Sequence, residues 1–113
     1  MKKYDIQVQH EKKTIDMVVR GSFSEQDVQN FMRDYQNAVS SIKAGEYTLE
    51  IDCTNLDILT QDMVPQMEAS LNMYKESGFH TVQLNIRNNA VLKLQLHRLA
   101  RSIGLKNAKT VDV

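Results

Sequence analysis

The chain has 113 residues, enough for one hydrophobic core of ordinary size and too few for two. Hydrophobic residues make up 42% and charged residues 25%, a balance that fits a folded globular domain and excludes a disordered or bilayer-spanning chain. Fourteen Lys and Arg offset fourteen Asp and Glu, so no strong positive field marks a dedicated nucleic-acid binder. The opening Met1-Lys2-Lys3-Tyr4-Asp5 contains no apolar leader, and the expected compartment is the cytosol. Cys53 is the only cysteine, and His10, His80 and His97 lack ligand-like spacing. No disulfide, metal site or cofactor is expected from them.

Tyr4, Ile6 and Val8 alternate with Asp5, Gln7 and Gln9, and Ile15, Met17 and Val19 alternate with Thr14, Asp16 and Arg20. With Glu11-Lys12-Lys13 as the turn, this predicts a β-hairpin closed by Gly21. Ser24 is a natural N-cap, Asp27 can complete a capping box, and Phe23 can staple against Val28. Val28, Phe31, Met32, Tyr35, Val39 and Ile42 then form one apolar helical stripe, with Gly45 placed to leave the helix. Tyr47, Leu49, Ile51 and Cys53 alternate with polar residues as a third strand, followed by a loop over residues 54–61. Val64, Met67, Leu71 and Tyr74 carry a second helix that Gly78 can close. Pro65 belongs in its first turn, which favours Asp62 over Thr60 as N-cap. Val82, Leu84 and Ile86 predict a fourth strand. Asn88 or Asn89 caps a third helix whose stripe is Leu92, Leu96, Leu99 and Ile103, ended by Gly104. Residues 108–113 supply a short last strand.

The order is ββαβαβαβ over a single domain spanning residues 1–113. Sheets covered on both faces have nearly continuous apolar strands, whereas every strand here is polar at alternate positions. The fold class is therefore α/β, an open mixed β-sheet with its helices packed on one face. Gln7, Gln9, Glu50, Gln83 and Asn85 are expected on the uncovered side.

This arrangement resembles the STAS domain of anti-sigma-factor antagonists and sulfate transporters. The resemblance rests on the hairpin ending in Gly21, the helix from Ser24, the strand over residues 49–52 and the loop and helix from Thr54. It continues through the strand over residues 82–86 to the segment over residues 98–105. It implies a non-enzymatic protein-interaction module, a regulator or scaffold whose partner is an anti-sigma factor kinase or another STAS-type protein. Asp57, Thr60, Gln61, Asp62, Met63 and Gln66 would then form the docking site. Bacterial regulators of this family carry Asp-Ser-Ser-Gly at the start of the second helix, with one serine phosphorylated. Here the corresponding residues are Thr60-Gln61-Asp62-Met63. The usual phosphoacceptor is missing, and Thr60, two residues off register, is the remaining candidate. Asp62 is either a plain N-cap or a fixed negative charge standing where a phosphate would sit, since helix N-termini favour anions.

Other constellations compete with that reading. A divergent domain of the same fold would bind a small ligand or nucleotide near residues 54–63. Asp52, Asp57 and Asp62 could hold Mg²⁺ for phosphoryl chemistry, but no further acidic pair or Lys recurs at a recognisable spacing. Cys53 shares the phase of Leu49 and Ile51 and reads as core rather than nucleophile. The four glycines stand singly, so no phosphate loop is present. Charge is divided along the chain: residues 1–79 hold eight Lys and Arg against thirteen Asp and Glu, and residues 80–113 hold six against one. Lys93, His97 and Arg101 share one face of the third helix, near Arg87 and Arg98. They are candidates to contact an anionic partner or a second copy of the chain.

Overall fold

The computed structural model describes residues 3–113; Met1 and Lys2, the first residues of the opening segment expected to hold no apolar leader, lie outside the described residues. The elements run β1 (Tyr4–Gln9), β2 (Thr14–Gly21), α1 (Glu25–Val39), a 3-10 turn (Ala44–Glu46) and β3 (Thr48–Leu56). They continue with α2 (Val64–Ser77), β4 (Thr81–Ile86), α3 (Ala90–Ser102) and β5 (Ala108–Asp112). One five-stranded sheet holds the strands in the order β1-β2-β3-β4-β5. β1 is antiparallel to β2, and the remaining neighbours are parallel. The sheet is mixed, as the sequence predicts. No described helix is long and apolar enough to cross a membrane.

Cross-strand register explains why the helices take one face. Ile15, Leu49 and Val82 stand side by side, as do Met17, Ile51 and Leu84, and all six are buried. Phe31 and Tyr35 of α1, Leu71 and Tyr74 of α2, and Leu92 and Leu96 of α3 complete the core against them. On the other face Gln7, Asp16, Glu50, Gln83 and Lys109 make a single polar row. Gln83 donates to Glu50 (3.3 Å) and to Asn85 (2.8 Å). That face has too little apolar area to reward a covering helix, since burying its amides and carboxylates would cost their hydration.

The element ends correct several expectations. α1 begins as predicted, with a full capping box between Ser24 and Asp27, but it stops at Val39. Ser40 and Ser41 turn their hydroxyls back onto Asn37 and Ala38, so Ile42 lies beyond the helix, and Gly45 sits in the 3-10 turn. β3 reaches Leu56, three residues past Cys53. A bulge opposite Val19 adds one residue to β3 and rephases it, so that Leu56 rather than Asn55 turns inward. In α3 Ala100 is buried, whereas Leu99 and Ile103 are only partly so.

Candidate functional site

β2 and β3 end together, and Asp57 fastens their exits. Its N–H donates to the Gly21 carbonyl (3.1 Å), and its carboxylate accepts from the Ser22 hydroxyl (2.8 Å). Two residues on, the chain is clamped by α3: the Leu59 N–H donates to Gln95 Oε1 and Gln95 Nε2 donates to the Leu59 carbonyl, both at 3.0 Å. A side-chain amide here does what a neighbouring strand would do for the backbone. The Thr60 carbonyl then accepts from both Met63 and Val64, closing a turn that feeds α2.

That turn overturns the assignment of Asp62 as N-cap. The capping position belongs to Met63, whose side chain makes no capping bond, and Pro65 takes the second helical position. Burial of the Met63 thioether draws the helix start one residue inward and leaves the Asp62 side chain in solvent. Of the proposed docking residues, Asp57, Thr60, Gln61 and Asp62 are brought together on the surface, while Met63 and Gln66 face inward. Three further residues frame the loop without having been singled out in sequence. Ile58 is 49% exposed, and Val91 and Leu94, which flank Gln95 on one face of α3, are 54% and 49% exposed. Only the fold reveals them, because the clamp joins positions 36 residues apart.

Beneath the loop a narrow apolar cleft lies between α1 and α2 over β2 and β3. Phe23, Val28, Phe31, Met63, Met67 and Tyr74 form much of its wall. Gln66 Oε1 is buried there without a hydrogen-bond partner, one helical turn from Ser70, whose hydroxyl returns to the Gln66 carbonyl (3.1 Å). Cys53 lies at the floor. Burial, with the Asp52 charge adding to it, pushes its thiol up to about 12, so it stays protonated and unreactive near neutral pH.

The aspartates have separate employments. Asp52 Oδ1 accepts from the N–H (2.9 Å) and hydroxyl (2.6 Å) of Thr54, Asp57 holds Ser22, and Asp62 is exposed. Among the described residues no three His, Cys, Asp or Glu side chains are placed to share a metal ion. The basic face of α3 is also partly spent. Lys93 pairs with Asp112 of β5 (2.6 Å) and His97 lines the α3–β5 groove, leaving Arg98 and Arg101 as exposed cations of the helix.

No protein-family model matches the sequence, and no curated protein matches it. A solved structure does: an uncharacterized protein of the DUF3478 family from Shewanella loihica PV-4, described as having a SpoIIAA-like fold. The two superpose with a TM-score of 0.65 over 97% of this chain and 83% of the other, at 16% sequence identity. This chain has a SpoIIAA-like fold. The likeness carries architecture alone at that identity. Within this SpoIIAA-like fold, residues 61–63 at the start of α2 offer no hydroxyl, and Thr60 stands exposed on the turn before them.

Proposed function

We propose that the protein is a non-catalytic interaction module of the STAS type, docking a protein partner on the loop over residues 57–63 and the adjoining end of α3. The observation that supports this best is the Gln95 clamp, which ties the loop carrying exposed Ile58 to the face of α3 carrying exposed Val91 and Leu94. Exposed apolar groups on the loop and α3, with the exposed polar residues Thr60, Gln61 and Asp62 following in the same loop, have the composition of an interaction surface. The partner class is an anti-sigma factor kinase or another STAS-type protein, and the absence of a hydroxyl at residues 61–63 favours a scaffold over a serine-phosphorylation switch. Affinity capture with the native protein and with an Ile58→Glu, Leu94→Glu double variant tests this. Loss from the variant of a partner of that class, with circular dichroism unchanged, supports it; equal capture by both overturns it. Phosphate mapped to Thr60 by mass spectrometry would overturn the scaffold part.

The cleft favours a second reading, binding of a small ligand. Its walls are apolar and contain no Lys, Arg or His, so an apolar molecule with one hydrogen-bond donor for Gln66 Oε1 suits it better than a nucleotide. Saturable chemical-shift changes on titration with 1-octanol, abolished by Val28→Phe, would support it; no shifts would remove it.

A further inference from the structure

The two edges of the sheet are not equally guarded. The hydrogen bond from the Arg20 N–H to the Lys3 carbonyl (2.8 Å) makes Lys3 and Arg20 a hydrogen-bonded pair of the antiparallel β1–β2 ladder. Such pairs alternate. With Tyr4 opposite Val19 and Val8 opposite Ile15, the backbones of Asp5, Gln7 and Gln9 therefore face β2, and those of Tyr4, Ile6 and Val8 face outward. No described backbone group bonds to them from that side. Monomers usually protect such an edge with Pro, Lys, a bulge or a very short strand. β1 is six residues long, has no Pro, Gly or Lys, and its one charge, Asp5, is paired with Arg20 at 2.7 Å. Its outward-facing residues are also its apolar ones, half-buried at the margin of the core. β5 differs. It has five residues, the exposed charges Lys109 and Asp112, and a single tyrosine-sized or branched aliphatic side chain, Val111, whose backbone faces β4.

We infer that β1 is a homodimer strand, pairing antiparallel with β1 of a second copy about a two-fold axis through Ile6. In that register Ile6 meets Ile6 and exchanges both backbone bonds with it, while Tyr4 of each copy pairs with Val8 of the other. Every outward N–H and C=O of the three residues is then satisfied. Opposite residues in an antiparallel pair share a face, so the apolar side chains meet one another beside the helices. On the bare face Asp5 meets Gln7 and Lys3 meets Gln9, with no like charges opposed. Moving the axis to Gln7 would bring Tyr4 opposite His10, which lies in the turn beyond the strand. A second copy fits this edge as the occupant, since it matches Ile6 to Ile6 and Tyr4 to Val8 on the apolar face and opposes no like charges on the other. This pairing goes beyond the proposed function, since β1 lies at the sheet edge two strands from β3 and its loop.

Sedimentation equilibrium should find the native protein dimeric. Ile6→Lys, which sets two ammonium groups against each other at the axis, should raise the dimer Kd by about tenfold or more. Ile6→Pro should also give monomers and yet fold, because the lost N–H faces outward and serves no bond within the chain. Opposed hydrogen-bonded residues have Cα atoms about 5.5 Å apart, within disulfide range. Ile6→Cys should therefore cross-link to a dimer on oxidation while Asp5→Cys does not. A monomeric native protein, a dimer that survives Ile6→Lys, or equal cross-linking at positions 5 and 6 would each overturn the inference.

Discussion

Gly78 leaves α2 in the left-handed region, φ +78°, and its N–H still reaches back to the Lys75 carbonyl. A Cβ at that position would touch nothing, so a Gly78→Ala substitution isolates the cost of the backbone conformation, about 1 kcal/mol. Gly45 provides the contrast. It has no positive φ, and a Cβ there would meet only the Gly78 carbonyl at an ordinary 3.7 Å, so Gly45→Ala should change stability little. Urea unfolding of the two variants tests the difference. Gln95 acts at the same scale with a larger consequence. Gln95→Ala deletes both bonds to Leu59, a buried residue whose N–H would be left without a partner. The expected loss is about 2 kcal/mol, accompanied by faster hydrogen exchange at Leu59 than elsewhere in the loop.

Helix starts divide into those fixed by a side chain and one that is not. Ser24 and Asn89 both accept from the third residue of their helices, at 3.1 Å in each case. Ser24→Ala and Asn89→Ala should each cost about 1 kcal/mol, whereas Asp62→Ala, with its side chain in solvent, should stay within about 0.5 kcal/mol in the same unfolding assay. The same division sets what was legible in the sequence. Caps and strand alternation are local patterns, so the start of α1 and the polar side of the sheet could be read directly and the cap of α3 narrowed to Asn88 or Asn89, of which Asn89 takes the position. The start of α2 could not, because burial of Met63 decides it and burial depends on the completed core. The end of β3 was hidden by a bulge that breaks the alternation at Cys53 and resumes it at Leu56. Of the candidate docking site, the loop residues followed from the resemblance, but Ile58, Val91 and Leu94 gain meaning only once Gln95 brings α3 to the loop.

At the scale of the whole molecule the core carries several protonated groups that cannot easily ionise. Burial pushes Cys53 and Tyr35 up to about 12 and Tyr74 well above its ordinary value; Tyr4, desolvated and bonded to Asp34, also rises to about 12. An acid whose pKa rises on folding binds its proton more tightly in the native state, so stability is fully present below the unfolded value. It declines as pH climbs from about 9, the ordinary thiol value, towards 12. Urea midpoints should therefore hold steady to about pH 9 and fall beyond it, and Cys53→Ala should delay the onset. One last property belongs to the sheet as a whole. Its spatial order repeats the order of the strands in the chain, so no strand has to be inserted between two already paired. On a ribosome each strand, as it emerges, can add to the edge left by its predecessor, and the growing chain always presents its newest strand as the next template. Stalling during translation would leave a shorter sheet of the same kind rather than a gap in its middle.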